Sequence, residues 1–275
     1  MCKKRRALLL YRNRISCSAF HKMSKRRNKK GADQMDVRKF RGAGVLLLCL
    51  LLTAAGIWNF RQASQNVAVR TVGNTGPVNA VDTEESKIGL LFQVTGSGAQ
   101  TEEVLKILRE KGKKATFFVT EAWGEQWPEL VTEIVQEGHE LGILSQEGKR
   151  SDLLTRKEAA GMLEQAGERL MGLTGKKIQL FQERGNRYGE GLLNAVQMAG
   201  AIPVGWSVDV EDWKDYDSDV IFQMVAGNEK LCPGALLLFH TGAKNMAPAL
   251  EKLIPKLGAM GYDMVPVGGL FHFSL

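Results

Sequence analysis

This chain has almost no cysteine where a folded domain would use it. Its four cysteines are Cys2, Cys17, Cys49 and Cys232, and only Cys232 lies beyond residue 60. No disulfide can form within the region after residue 60, so burial and hydrogen bonding must hold whatever folds there. Cys232 reads as a small loop or core residue beside Pro233 and Gly234. Acidic residues are nearly missing from positions 1–41, where 15 Lys and Arg stand against Asp33 and Asp36 alone. The balance then reverses, to 22 basic and 28 acidic residues. The pI of 9.2 therefore describes the basic head and gives no reason to expect nucleic acid on the remainder. Charge of either sign is absent from 42–60, a run of 19 residues. Internal repeats are absent too.

The uncharged run is long enough for a helix to cross a bilayer, which takes about 17–25 residues. Trp58 and Phe60 sit at its outer end and Arg61 closes it. With the basic head retained in the cytoplasm, the remainder lies outside. The expectation is a single-pass cell-membrane protein: a basic cytoplasmic tail (1–41), a transmembrane signal-anchor (42–60) and an extracytoplasmic C-terminal domain. Cleavage of the segment as a signal peptide is the alternative, with Thr53 and Ala55 as a weak small-residue pair. Met23 and Met35 each open a more usual signal region, which leaves the start open. Residues 61–86 are small and polar, include Gly73, Asn74, Gly76 and Pro77, and read as a flexible linker.

From 87 onward, strands and helices alternate. Strands are expected at 88–92, 115–119, 140–144, 179–181, 203–208, 235–239 and 263–267. Helices are expected at 101–111, capped by Thr101, and at 128–137, 155–173, 189–199, 217–225 and 246–260. The near-continuous apolar strands imply a parallel sheet covered on both faces. At this length a closed or nearly closed barrel follows, with any site at the C-terminal strand ends.

Four stretches carry a family likeness. Lys113-Lys114-Ala115-Thr116-Phe117-Phe118-Val119 matches a KATFFV strand. Glu137-Gly138-His139-Glu140-Leu141-Gly142 matches EGHEIG. Trp206-Ser207-Val208-Asp209-Val210-Glu211-Asp212-Trp213 matches WSVDxxDW. Leu237-Leu238-Phe239-His240 matches LLH. In this order and spacing, 87–271 resembles the polysaccharide deacetylase (NodB-homology) family. The resemblance implies a distorted (β/α)7 barrel of the NodB-homology type, here preceded by a single transmembrane helix. It also implies metal-assisted removal of N- or O-acetyl groups from sugar polymers.

That chemistry takes a divalent metal on one Asp and two His, an Asp base, an Arg that orients the base, and a His acid. The two Asp belong to a TFDDGP-like turn, which here reads Phe92-Gln93-Val94-Thr95-Gly96. The two His belong to an H-x-x-x-H segment, which here runs from Leu144 to Gly148. Gln182 stands in the Arg position, with Arg184 or Arg187 near enough in sequence to replace it. The resemblance thus implies a degenerate member with no metal cofactor. Asp209 and His240 are the remaining catalytic positions. Trp213, Asp212 and Arg184 are candidates for substrate binding, with Trp213 as a wall of a sugar groove. The bland reading has Asp209 and Asp212 holding loop backbone, Trp213 packed, and His240 a satisfied polar residue. His139 reads as structural. A weak metal cluster of Asp209, Glu211, Asp212 and His240 is conceivable, but no spacing demands it. Two functions follow: a non-catalytic domain that binds cell-wall glycan or an envelope protein, or an active deacetylase with a rebuilt site.

Overall fold

The computed structural model describes residues 76–271 apart from 147 and 149. The expected tail, transmembrane segment and first part of the linker, and His272, lie outside the described residues. Among the described residues no helix is long and apolar enough to cross a membrane.

The chain lays down parallel strands β1 (Lys87–Gln93), β2 (Thr116–Val119), β3 (Glu140–Leu144), β4 (Leu180–Gln182), β5 (Ile202–Pro203), β6 (Val208–Asp209), β7 (Leu236–His240) and β8 (Asp263–Val265). Helices α1 (Gly98–Glu110), α2 (Glu121–Gln126), α3 (Pro128–Gln136), α4 (Arg156–Thr174), α5 (Glu190–Met198), α6 (Ser218–Ala226), α7 (Met246–Ala259) and α8 (Val267–Leu270) connect or follow them. The sheet order is β5-β4-β3-β2-β1-β7-β6, with β8 also on β1. β1 is the hub. Its Leu91–Gln93 stretch pairs with β2, its Gly89–Gln93 stretch with β7, and its first three residues with β8.

Side chains alternate across each strand, so two apolar layers form. Leu91, Phe118, Leu180, Leu236 and Leu238 pack together on the inner face with Val267 and Leu270 of α8. Leu90, Phe92, Phe117, Phe181 and Phe239 face the helices. Phe92 stacks between Phe117 and Phe239, with ring centroids 5.1 and 5.5 Å away. Such pairs are worth about 0.5–1.5 kcal/mol each beyond their buried area. At the strand N-termini, Thr116 Oγ accepts the Val267 N–H at 2.9 Å, and the Glu140 carboxylate accepts the Gly268 N–H at 3.1 Å. These contacts hold α8 beneath the inner layer.

Several expectations change. The single strand expected at 203–208 is two. Val204 N–H donates to the Phe181 carbonyl at 2.8 Å, while Ser207 N–H donates to the Leu236 carbonyl at 3.0 Å. One segment therefore bonds to opposite ends of the sheet and brings its two edges together, which is why eight strands are counted rather than seven. Thr101 is not the cap of α1. Ser97 occupies that position and exchanges contacts with Gln100, while Thr101 is buried. The α2 helix was missed because six residues carry too little periodicity to register. The last strand ends at Val265, and Pro266 is the N-cap of α8.

The end of the expected linker is also structured. Val78 N–H donates to Pro203, Gly205 N–H to Val78, and Val81 N–H to Gly234, at 2.8–2.9 Å. Asn79 Oδ1 accepts from Asn186 Nδ2 at 3.0 Å. Residues 78–81 thus form a strap bonded to both sides of the seam. Glycines make room for it. A Cβ on Gly205 would stand 2.0 Å from Asn79 Oδ1, and one on Gly234, whose φ is +79°, would stand 1.8 Å from the Val81 carbonyl oxygen.

His139 packs edge-on against Phe117, and its Nδ1 accepts the Ala115 N–H at 3.2 Å. Burial, and then the nearby Lys114 charge, lower its pKa to about 4. It is a structural, neutral imidazole.

Two predictions follow from this packing. A chain starting at Lys87 should melt several degrees below one starting at Gly76. The strap's three backbone hydrogen bonds at about 1 kcal/mol each, less ordering entropy, leave roughly 1–2 kcal/mol. At about 2–4 °C per kcal/mol for this size, equal melting temperatures would show the strap to be inert. For His139, the unfolded chain takes up a proton near pH 6.5, whereas the folded state refuses it until about pH 4. The unfolded state therefore binds more protons in that window, and stability present above pH 6.5 falls with pH by up to about 1.4 kcal/mol per unit. The half-buried Glu140, whose pKa burial raises, gives the opposite slope. Denaturation of wild type and His139→Gln from pH 7 to 4 isolates the histidine contribution, because only wild type should show it; parallel curves would refute the assignment.

Candidate functional site

The inward positions at the strand C-termini meet at one level because the strands run in parallel register. Gln93 of β1 is paired with His240 of β7, and Leu144 of β3 with Gln182 of β4. Gln93, Thr95, Arg184, Trp213, Asp215 and His240 line a cleft of about 350 Å³.

The floor of this cleft is neutral. Gln93 is fully buried, and its Nε2 donates to Gln182 Oε1 at 3.0 Å and to the Arg184 carbonyl at 3.2 Å. Both hydrogens of that amide are used. Its Oε1 and the Nε2 of Gln182 are buried without a protein partner. Val94 does not face the cleft; it lies in the layer packed against the helices. Leu144 belongs to the inner apolar layer, and Gly148 is exposed with φ +72°.

One wall holds the only histidine of the cleft. Asp212 is fully buried, and its carboxylate is used twice. Oδ2 accepts the backbone N–H of His240 at 2.8 Å, and Oδ1 lies 2.7 Å from His240 Nδ1. A carboxylate cannot donate, so Nδ1 carries the hydrogen and the ring orientation is fixed. Nε2 is then the nitrogen that this pairing leaves unused. His240 keeps 14% of its side chain exposed.

The same turn projects Trp213 outward. Glu211 and Asp215, both in left-handed backbone geometry with φ of 50° and 56°, flank the short 3-10 turn Asp212–Lys214. Non-glycine residues there store strain, which recurs at functional sites. The turn buries Asp212 while leaving Trp213 57% exposed, with Lys214 Nζ 5.2 Å from the indole centroid.

The opposite wall is a braced turn. Glu183 is buried, and its carboxylate accepts the N–H groups of Gly185 and Arg187 at 2.8 and 2.7 Å. Tyr188 Oη accepts from Glu183 N–H at 2.9 Å and donates to the Val204 carbonyl at 2.9 Å; burial raises its pKa. Arg184 N–H donates to Ser145 Oγ at 3.0 Å. Thr241 Oγ accepts the Thr95 N–H at 3.1 Å and donates to the Thr95 carbonyl at 2.9 Å, which fixes the loop after β1 to the loop after β7.

The structure therefore gathers His240, Asp212, Trp213 and Arg184 around one cleft. It leaves Asp209 apart: that residue is exposed, and its carboxylate accepts the Glu211 N–H at 2.9 Å. Asp212, rather than Asp209, is the acidic partner of the site. The conceivable cluster does not converge either, because Glu211 pairs with Lys214 at 2.7 Å while Asp212 is spent on His240. Among the described residues no group of three or more His, Cys, Asp and Glu side chains could hold a metal. A carboxamide, two alkyl groups and a glycine do not fit a divalent ion, whose ligands are imidazole, thiolate or carboxylate. Sequence reasoning missed the Glu183, Ser145 and Thr95–Thr241 braces. Their only signal is a small or acidic side chain within two residues of a strand end, too common to single out.

Three kinds of comparison bear on this site. The polysaccharide deacetylase family model matches residues 80–204. That stretch includes Gln93, Leu144 and Gln182 but ends before Asp209, Trp213 and His240. A peptidoglycan-N-acetylglucosamine deacetylase of Bacillus cereus is 28% identical over 207 residues, 73% of this chain and 72% of that protein. The peptidoglycan-N-acetylmuramic acid deacetylase PdaC of Bacillus subtilis is 28% identical over 69% of this chain, which spans only 40% of that relative. The solved PdaC structure aligns at 27% identity with a TM-score of 0.62, covering 69% of this chain and 92% of the solved one. A carbohydrate esterase family 4 pseudoenzyme from Bacillus anthracis aligns with a TM-score of 0.67 at 24% identity, covering 72% of this chain and 69% of that one. That likeness speaks to the fold alone.

Proposed function

Because the chain belongs to the polysaccharide deacetylase family, we propose that it keeps the family's groove as a binding surface for cell-wall glycan without metal-assisted deacetylation. One observation carries this reading: no imidazole or carboxylate stands at Gln93, Val94, Leu144 or Gly148, while the cleft between Trp213, Arg184 and His240 stays open. Relatives named for acting on peptidoglycan support a glycan as the ligand. Metal-bound water has a pKa near 7, against about 15.7 in bulk, and this set of side chains has nothing to bring that shift about. An exposed indole at a groove edge suits the apolar C–H face of a sugar ring. An envelope protein docked on the same face is the competing ligand. The domain reaches its glycan from the membrane: the basic segment 1–41 and the uncharged run 42–60 support a single-pass anchor with the C-terminal domain outside.

The full-length protein should release no acetate from the N-acetyl groups of chitin oligomers or of peptidoglycan free of O-acetyl esters, with or without zinc or cobalt. Trp213→Ala should weaken glycan binding about tenfold, because one stacked ring contributes on the order of 1–2 kcal/mol by buried area. Acetate release above a heat-killed control would restore the active-deacetylase reading. Unchanged glycan affinity in Trp213→Ala would remove the indole from the groove. Undetectable glycan binding by wild type would favour the envelope protein, to be sought by crosslinking from the Trp213 face.

Topology has its own check. Protease added to intact protoplasts should degrade the C-terminal domain and leave a membrane-bound stub. Complete protection would refute the orientation, and a soluble form beginning near Gly56 would establish cleavage instead of anchoring.

A further inference from the structure

The Asp212–His240 pair is the one preorganised proton-transfer device in the cleft, and binding glycan does not require it. We propose that this pair gives the protein a metal-independent esterase activity on small, activated carboxylic esters, with His240 Nε2 as general base toward water.

Four observations carry the inference. Asp212 is fully buried and holds the imidazole through Nδ1 at 2.7 Å. The same carboxylate holds the backbone N–H of His240 at 2.8 Å, so ring and main chain are positioned together. The free Nε2 belongs to a side chain that lines an open cleft of about 350 Å³, room for a small ester and a water. Arg184 lines the same cleft and brings a positive charge to it. A buried carboxylate orienting a histidine base is the arrangement that activates nucleophiles in hydrolases on unrelated folds. Here the hydroxyl of Thr95 accepts the Gly242 N–H at 3.2 Å and is tied into the loop, so the nucleophile is water.

The step balances without a metal or a further reactant. Water oxygen attacks the ester carbonyl carbon, its proton passes to Nε2, and the carbonyl electron pair moves onto oxygen. The tetrahedral adduct collapses, the bond to the leaving oxygen breaks with its electron pair, and Nε2 returns the proton to that oxygen. The products are a carboxylic acid and an alcohol or phenol. Amides are poorer substrates, because an amine is a much worse leaving group than a phenol. The proposal does not rest on the glycan reading, since a small ester needs none of the groove, and each can fail alone.

The test is steady-state hydrolysis of p-nitrophenyl acetate by the full-length protein in the presence of a chelator. Turnover should exceed that of free histidine at equal concentration by about a hundredfold or more, the range of a well-positioned general base. His240→Gln should fall to the free-histidine rate, and added imidazole should restore part of the rate in His240→Gly, which a purely structural role would not allow. Asp212→Asn should lower turnover at least tenfold with cooperative melting kept. If one of these variants does not melt cooperatively, the others decide. Three results would overturn the proposal: a wild-type rate no higher than that of free histidine, activity removed by the chelator, or activity undiminished in His240→Gln. A single burst of p-nitrophenol without further turnover also overturns it, because it marks acylation of a surface group.

Discussion

The hydrogen bonding of β1 to three other strands is the constraint on which the rest depends. Lys87–Gln93 pairs with β2, β7 and β8, and every residue after Lys87 is buried. A parallel ladder admits no local slip, because a one-residue shift would exchange the inner and outer faces of the strand. Gly89 and Leu91 must therefore face inward and Leu90 and Phe92 outward. The same alternation delivers Gln93 to the mouth opposite His240. The position of the site is a consequence of core packing: the Phe117–Phe92–Phe239 stack on one face sets what the other face presents at its end.

That geometry explains which site residues can vary alone. A carboxylate at position 93 would sit in a fully buried place, and an uncompensated buried charge costs several kcal/mol. With no imidazole at 144 or 148 to share an ion, a carboxylate there would have no partner. A carboxamide removes the charge and uses both its hydrogens on Gln182 and Arg184. Leu144 does the same with apolar surface, joining Leu180 and Phe118 in the inner layer. The Asp212–His240 pair is different in kind. It satisfies itself with two hydrogen bonds and needs no ion, so it stands unchanged beside a neutral floor. The remaining blemish is the unpartnered Gln93 Oε1 and Gln182 Nε2. Two large amides facing each other across a barrel mouth cannot satisfy all four of their polar groups with one contact.

Strands and helices were legible because their signals are local. Phe117-Phe118-Val119 is apolar enough to read as a buried strand, and Thr155 with Glu158 forms a capping box ahead of α4. What was illegible depends on pairing at a distance. Residues 203–208 read as one strand because nothing along the chain reports that Val204 bonds to Phe181 while Ser207 bonds to Leu236. Residues 78–81 read as linker because they lie in a mostly small and polar stretch without an apolar period, yet a seam between two sheet edges selects small residues that bring backbone N–H and carbonyl groups into reach. Of the residues that mark the seam, Gly205 fell inside the expected strand 203–208 and Gly234 read only as the neighbour of a loop cysteine.

The site was legible in composition, but not in which of its acids meets His240. Asp209 and Asp212 lie three residues apart in one motif, and sequence alone gives no reason to prefer either as the partner of His240. The backbone decides. Left-handed geometry at Glu211 turns the chain sharply after Val210, so Asp209 stays at the rim while Asp212 is carried beneath the loop. There the His240 N–H, left unpaired at the end of β7, needs an acceptor, and Asp212 Oδ2 supplies it. Meeting that backbone demand brings Oδ1 against Nδ1 of the same residue. The pairing of base and orienter thus follows from the rule that a buried strand end must satisfy its donors. The strain at Glu211 and Asp215 accompanies the placement of that carboxylate, and the exposure of Trp213 is a result of the same turn.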